Sequence, residues 1–472
     1  MTRAVDVGSG PFTPDEIVAL FDGLSDYEAV GIAVSGGRDS MALLDLFALW
    51  RSLTAAAAAL PVRVLTVDHR FRPESPAEAD AVRERAQSYD LLHRTCVFDV
   101  AKPATALQAS ARSVRYRVMC EAIEELWPAC KVALLVAHTC DDQAETVLMR
   151  LARGSGIAGL GAMARVRALT GDRAISVGAG TVDGVSTAQR IDIIRPLLAV
   201  TRARLTAHLV ERRLSWCDDP SNEDRSFERV RVRAAAETLA SLGLTAQALG
   251  MVADRARRAD AALTSVLDET MKRVTANVAG PGVAANFDYA AWSREPEELR
   301  IRLLLRLLAT FGGQSEPPRL VRVEKLVQRL TANEVGGAET IAGCIVEQQA
   351  GTIWVYREPT RAPLPVAEVA PGETIVWDRR FVVGLASFAP TSVSVVASAD
   401  AVAAQHDTAW PDWAELVDWN RVPRRARDGL PVVVGIGASS VRTPGRVATP
   451  VWAGDGRLEA AGLSIAWCGW RN

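Results

Sequence analysis

The sequence predicts an α/β protein built on a parallel sheet, followed by a mainly helical middle region with a β-hairpin and a small C-terminal domain of β or α+β type. Three observations carry this. Over about the first 215 residues short β-branched runs alternate with helical patterns, which is how a parallel sheet with crossover helices reads. After Asp219-Pro220-Ser221-Asn222 the pattern turns mostly helical, and from Glu373 onward it becomes short strands and turns.

The strands are placed at Ala29–Val34, Val62–Asp68, Arg94–Phe98, Val132–Ala137 and Ile191–Arg195. Helices fall between them at Ser40–Trp50, Pro76–Leu92, Ala104–Leu126 and Asp141–Arg153. The last is the clearest, with Ala144, Val147, Leu148, Leu151 and Ala152 on one 3.6-residue stripe. Ala55–Ala59 reads as a low-complexity helix end, and Gly/Thr/Ser-rich Thr170–Gln189 as a flexible excursion before the fifth strand. Farther on, Ala246–Val274 is a long amphipathic helix. The runs Thr340–Glu347 and Thr352–Tyr356, joined by Gln348–Gly351, form a hairpin, and Pro-rich Thr360–Pro371 is a linker. The implied domains are 1–220, 221–360 and 372–472, with no internal repeat.

Composition narrows the function classes. The 472 residues are 49% hydrophobic and 23% charged, ordinary values for a globular chain. With 54 basic and 56 acidic side chains the net charge is −2, which excludes a uniformly basic nucleic-acid coat but not a local basic surface. Only Lys102, Lys131, Lys272 and Lys325 are lysines; the other cations are arginines. The 7 scattered cysteines contain no Cys-x-x-Cys pair, against a disulfide scaffold, a zinc knuckle or an iron–sulfur site. With no signal-peptide core in residues 1–11 and no membrane-length apolar run, the sequence predicts a cytoplasmic protein.

The strongest local signal is Ser35-Gly36-Gly37-Arg38-Asp39-Ser40, directly after the first strand and opening the first helix. Two glycines let backbone N–H groups approach an anion, the helix N-terminus adds positive potential, and the two serines add hydroxyl donors. Asp39 in such an anion-attracting turn makes sense if a metal ion bridges it to phosphate. This is neither a Walker loop nor a dinucleotide turn. It resembles the PP-loop of N-type ATP pyrophosphatases, which implies a Rossmann-like sheet with ATP at the carboxyl ends of the strands and adenylation of a substrate oxygen.

Other motifs narrow the resemblance. They are Val67-Asp68-His69-Arg70, Ala111-Arg112-Ser113-Val114-Arg115-Tyr116, and Ala137-His138-Thr139-Cys140-Asp141-Asp142-Gln143-Ala144-Glu145-Thr146 running on to Arg153-Gly154-Ser155-Gly156. With Arg195-Pro196-Leu197-Leu198 and Trp216-Cys217-Asp218-Asp219-Pro220-Ser221-Asn222, they make the chain similar to the tRNA(Ile)-lysidine synthetase family. The resemblance implies that ATP and Mg²⁺ adenylate C2–O of the wobble cytidine of tRNA(Ile) with a CAU anticodon, and that L-lysine then displaces AMP. The sequence departs from the family at Arg70, Gln108, Thr139 and Arg229-Val230, where the family commonly has glycine, glutamate, a second histidine and Arg-Asn.

The resemblance and the residue chemistry together give the candidate site. Ser35, Gly36, Gly37, Arg38 and Ser40 cradle phosphate, with His69 and Arg112 lining the nucleotide pocket. Asp39 and Asp142 are the metal candidates, and His138 and Arg115 line the reaction centre. Asp142 and Glu145 lie three apart at a helix start, so their carboxylates can converge to hold Mg²⁺, to hold the lysine ammonium or to deprotonate it. Asp141 serves equally well as a helix cap, and Arg153 and Gly154 adjoin the site. For tRNA the sequence offers arginine clusters at 202–233, at Arg255, Arg257 and Arg258, and at Arg421, Arg424, Arg425 and Arg427. No membrane partner is indicated, and a homodimer is allowed. The competing classes are another PP-loop reaction, such as thiolation or amide formation, and a non-catalytic RNA-binding relic. Absence of paired cysteines weighs against thiolation, and the intact Asp39, Asp142 and Glu145 against a relic.

Overall fold

The computed structural model describes residues 10–54, 59–68, 70, 75–97, 107–169, 190–217, 228–275, 284–314, 318–332, 337–359 and 364–378, and the shorter segments 381–385, 393–397, 423–427, 431–434 and 463–467. Described residues up to 260 form one compact unit and those from 261 a second. The predicted excursion Thr170–Gln189 lies outside the described residues, apart from its last residue's neighbours in the strand that follows.

The first unit is built on six strands, β1 (Ala29–Ala33), β2 (Val62–Asp68), β3 (His93–Val97), β4 (Lys131–Leu135), β5 (Val166–Ala168) and β6 (Arg190–Ile194). Their order is β3-β2-β1-β4-β6-β5, parallel except for β5, which runs antiparallel to β6. The five predicted strands fall within two residues of these bounds. β5 went unpredicted because three residues, all exposed, carry no periodicity. Helices α1 (Pro14–Leu20), α2 (Arg38–Leu53), α3 (Ser75–Gln87), α4 (Leu107–Leu126), α5 (Cys140–Ala152), α6 (Ile157–Leu160), α7 (Arg202–Glu211), α8 (Glu228–Ala234) and α9 (Ala236–Ser241) complete the unit with the first part of α10 (Ala246–Val274).

Both faces of the sheet are covered, so its central strands read as continuous apolar runs. On one face α1, α2, α3 and α7 supply Leu20, Phe47, Val82 and Leu205; Phe21, Phe47 and Trp50 pack ring to ring at 5.3–5.5 Å. On the other, Met119, Ala122 and Ile123 of α4 cover Leu65, Val132 and Leu134. Each large side chain buried this way stabilises the fold by roughly 1.5–3 kcal/mol. Leu249 and Ala253 of α10 pack on Ala144 and Val147, the apolar stripe of α5.

The second unit holds α11 (Tyr289–Ser293), α12 (Glu297–Phe311) and α13 (Leu320–Thr331) against an antiparallel sheet ordered β7-β10-β9-β8. These strands are β7 (Ala284–Asp288), β8 (Ala338–Ile341), β9 (Cys344–Gln349) and β10 (Thr352–Arg357). The predicted strand Thr340–Glu347 is in fact split. Ala342 and Gly343 both have positive φ (50° and 76°) and make a two-residue turn, and Ala350 and Gly351 (50° and 79°) make the next. Successive positive φ values match the twist of hairpin strands, so one predicted hairpin becomes a three-stranded meander. The predicted linker carries β11 (Ala367–Val369). Beyond it, β12 (Thr374–Trp377), β13 (Phe381–Leu385), β14 (Val393–Ala397), β15 (Pro431–Val434) and β16 (Leu463–Trp467) complete two antiparallel sheets, β11-β14-β15 and β12-β13-β16, with the short helix α14 (Arg424–Arg427).

The two turns make a comparative prediction. A Cβ on Gly343 would lie 2.3 Å from the Gly312 carbonyl oxygen, whereas nothing lies within 4 Å of one on Gly351. Gly351→Ala should cost about 1 kcal/mol, the left-handed penalty alone. Gly343→Ala should cost clearly more, and equal melting temperatures for the two variants would refute the close approach.

Candidate active site

Strands β1, β4 and β6 are neighbours, and their carboxyl ends deliver three segments to one edge of the sheet. After β1 comes the Ser35–Ser40 turn, after β4 the start of α5, and after β6 the loop leading into α7. The chain order reverses between β1 and β4, and open α/β sheets bind ligands at that switch point.

The turn is held from within. Gly36 has φ 82°, a conformation that side-chain-bearing residues seldom take, and Gly37 is the N-cap of α2. The Ser40 hydroxyl donates to the Gly37 carbonyl at 2.8 Å and accepts from the Ser35 N–H at 3.2 Å. The Cys217 N–H donates to the Gly36 carbonyl at 2.9 Å, fastening the turn from outside. Ser35 stays exposed.

The acidic start of α5 is built by a capping box. Thr139, fully buried, accepts the Asp142 N–H on its hydroxyl, while Asp142 Oδ2 accepts the Thr139 N–H at 2.8 Å and its hydroxyl at 2.9 Å. Thr139, the departure from the family pattern, thus does the capping that orients Asp142. The other oxygen, Oδ1, accepts from the Arg202 guanidinium.

Arg202 is the centre of the cluster. Its guanidinium also donates to Glu145 Oε1 at 2.8 Å and to Asp39 Oδ2 at 3.3 Å, and its backbone N–H donates to Asp141 Oδ2 at 2.8 Å. Asp39 is gripped on its other oxygen by Arg38 at 3.0 Å, and Glu145 Oε1 accepts a second guanidinium, Arg233, at 2.9 Å. Glu145 Oε2 is buried with no hydrogen-bond partner among the described residues. Every oxygen of Asp142 is therefore engaged, while Glu145 keeps one acceptor in reserve.

The electrostatics follow from these contacts. Burial alone would raise the Asp142 pKa, but the Arg202 charge and the Thr139 hydrogen bonds hold it below the ordinary 3.8. Burial works likewise against the Arg202 charge, and the carboxylates of Asp142, Glu145 and Asp39 outweigh it, pushing its pKa further up. His138, half-buried before α5, is close enough for its charge to favour the Asp142 anion.

The structure thus brings Asp39, Asp142 and Glu145 together through one side chain, with Ser35, Gly36, Gly37, Arg38 and Ser40 on the same edge. Arg115 is exposed on α4; His69 and the Arg112 side chain lie outside the described residues. Two arginines assigned from sequence to an RNA-facing cluster are internal instead. Arg202 serves the carboxylates, and Arg204 is 4% exposed, bound to Glu16 and to the Gly10 and Pro11 carbonyls. Arg257 likewise donates to the Gly161 and Met163 carbonyls. The available signal for Arg202 was its place just past the carboxyl end of the strand beside β4, where a cation faces the ligand edge.

Sheet order, switch-point turn and acidic helix start define an ATP-binding domain of the PP-loop class, and residues 15–238 match the PP-loop domain family. The chain is 41% identical over 345 residues to the tRNA(Ile)-lysidine synthase of Rhodopseudomonas palustris, covering 71% of this chain and 91% of the relative. It is 38% identical over 368 residues to that of Bradyrhizobium sp. strain BTAi1, covering 74% and 96%. For the one from Bradyrhizobium diazoefficiens the identity is 36% over 376 residues, covering 75% and 97%. The chain belongs to the tRNA(Ile)-lysidine synthase family.

Removing the central cation should be costly. Arg202→Gln leaves buried Asp142 without its guanidinium and Glu145 with Arg233 alone, a loss of about 3–5 kcal/mol. The pH dependence should also flatten. In the wild type the lowered Asp142 pKa contributes stability that is present above 3.8 and lost as pH falls further. In Arg202→Gln only the Thr139 hydrogen bonds and His138 are left to oppose burial, so that pKa moves back up and less stability is lost on acidification. Melting curves from pH 3 to 8 (roughly the carboxylate range) that keep the wild-type shape would refute this.

Proposed function

We infer that the protein ligates L-lysine to C2 of the wobble cytidine of tRNA(Ile), using ATP and releasing AMP and pyrophosphate. The observation that carries the chemistry is the Arg202 bridge, which ties Asp39 of the phosphate turn to Asp142 and Glu145 of the acidic helix start. Adenylation and amine attack need these two groups side by side. In the first step the cytidine O2 attacks the α-phosphorus of ATP, the P–O bond to pyrophosphate breaks, and pyrophosphate leaves. In the second the lysine ε-nitrogen attacks C2, the C2–O bond to AMP breaks, and the amine proton passes to a base.

The backbone N–H groups of the Gly36–Gly37 turn and the Ser35 and Ser40 hydroxyls hold the phosphates. Glu145 is the acceptor for lysine, because its Oε2 has no hydrogen-bond partner among the described residues. It orients the ε-ammonium and takes its proton, while Asp142 is spent on the helix cap and Arg202. Magnesium fits an all-oxygen donor set that shares phosphate oxygens with ATP. No group of three His, Cys, Asp or Glu side chains among the described residues could hold a metal by itself. Asp39, with Asp142 beside it, would hold the ion together with phosphate oxygens, and the ion would supply charge neutralisation for the departing pyrophosphate.

The partners are L-lysine and tRNA(Ile) with a CAU anticodon, whose single-stranded loop lets the base reach the turn at little cost. No helix of the described residues is long and apolar enough to cross a membrane. Sulfur transfer through Cys96, Cys120 or Cys140 is disfavoured by the burial of these thiols. Burial pushes Cys96 and Cys140 up to about 11 and Cys120 to about 12, far from a reactive thiolate.

The decisive assay supplies ATP, Mg²⁺ and labelled lysine with a tRNA(Ile) transcript. Label should enter RNA only when cytidine is at the wobble position. Glu145→Gln should slow lysine incorporation by about 10²–10⁴-fold while tRNA-dependent pyrophosphate release continues; equal loss of both steps would move the base elsewhere. For tRNA affinity, the cluster on α14, where Arg425 is exposed, is the test. Replacing Arg424, Arg425 and Arg427 with alanine should reduce the salt slope of binding by about 1 per lost phosphate contact, and an unchanged slope removes the cluster from the interface.

A further inference from the structure

Below the site, α2 and α7 are joined a second time. Asp45 is 1% exposed in an otherwise apolar core, and three side chains converge on it. His208 Nε2 lies 2.8 Å and Arg212 Nε 2.6 Å from Oδ2, and the Tyr89 hydroxyl donates to Oδ1 at 2.7 Å. Burial alone would raise the Asp45 pKa, but the His208 and Tyr89 hydrogen bonds and the Arg212 charge lower it, so Asp45 is an anion. His208 is 5% exposed and is backed edge-on by the Phe12 ring at 5.3 Å, over which the Arg204 guanidinium sits at 4.0 Å. A charged knot of this kind in a core contributes little net stability over apolar packing, and its best-attested use is to fix register.

The spacing shows which register. Asp39 and Asp45 are six residues apart on α2, and Arg202 and His208 are six apart on α7. At 1.5 Å per residue, both intervals are about 9 Å along the helix axes. Both helices start at the ligand edge, so the deep contact holds them at the offset that brings Arg202 level with Asp39. A slide of one residue, about 1.5 Å, would take the guanidinium out of reach of Asp39 at 3.3 Å and break its fit to Glu145.

We propose that Asp45, acting through His208 and Arg212, is a positioning residue for the lysine-transfer reaction, setting the axial register of α7 so that Arg202 lies among Asp39, Asp142 and Glu145. This rests on the function proposed above, and touches neither ATP nor lysine.

The test is a double-mutant cycle of Asp45→Asn and Arg202→Lys in the full chain. It is read in kcat for lysidine formation and in ATP·Mg²⁺ affinity by titration, the latter with no tRNA or lysine present. Each single variant should lower kcat about tenfold or more and weaken ATP binding, and the double variant should match Arg202→Lys within about twofold in both. Effects that multiply overturn the proposal, as does an Asp45→Asn protein with wild-type kcat and ATP affinity. If the wild type makes no lysidine, the proposed function fails, while the ATP cycle still decides the register. Against loss of folding, the paired change Asp45→Leu with His208→Leu replaces the buried pair of the knot by apolar packing, leaving exposed Arg212 and half-buried Tyr89 to turn to solvent. Its melting temperature should equal or exceed the wild type while kcat falls about tenfold; full turnover at an unchanged melting temperature would make the network structural only.

Discussion

A pocket that gathers Asp142 and Glu145 out of water beside half-buried Asp39 depends on a cation among them, and Arg202 is the one that touches all three. Taking several carboxylates into a low-dielectric pocket costs several kcal/mol each unless they are paired and hydrogen-bonded. The guanidinium suits the task because its donors point in several fixed directions and it does not deprotonate. The sheet makes the arrangement available by setting β1, β4 and β6 side by side, so that residues about 160 positions apart in sequence meet at one edge. Phosphate turn, acidic helix start and α7 thus become one electrostatic unit.

Within that unit the two carboxylates of α5 are not equivalent. They are three residues apart and both buried, yet one is saturated by the capping box and Arg202 while the other carries two guanidiniums on a single oxygen. The difference comes from Thr139. A hydroxyl at the N-cap turns Asp142 back toward the helix start, and Glu145, one turn on, is left facing the arginines. A position that departs from the family pattern is therefore well served by the residue it has, for helix-end reasons alone.

Much of this was legible in the sequence. The four inner parallel strands and the α5 stripe were marked by long β-branched runs and a clear 3.6 period, and the phosphate turn by its glycines at a strand end. The Asp142–Glu145 convergence also followed from spacing. What escaped was of two kinds. Short elements escaped because period cannot be measured over three or four residues: β5 is one case, the Ala342-Gly343 turn that splits the Thr340–Glu347 run another. Long-range partners escaped because pairing is set by topology. Arg202 and Arg204 stand in a run of arginines that local charge counting assigns to RNA; the β4–β6 neighbourhood brings Arg202 to the carboxylates, and Glu16 of α1 with the Gly10 and Pro11 carbonyls draws Arg204 inward.

The unpredicted β5 also has a use. An edge strand exposes a row of unmatched backbone groups to which another chain can add. Here the margin beside β6 is closed by a stub of three residues, antiparallel to the rest and with Arg167 at its middle. So short a ladder offers an incoming strand few bonds, and the charge opposes close stacking. The reversal in direction also ends the parallel repeat. The sheet is thereby protected along this margin from growing sideways into aggregates, and the carboxyl ends of β1, β4 and β6, where the candidate site lies, are left clear of the device.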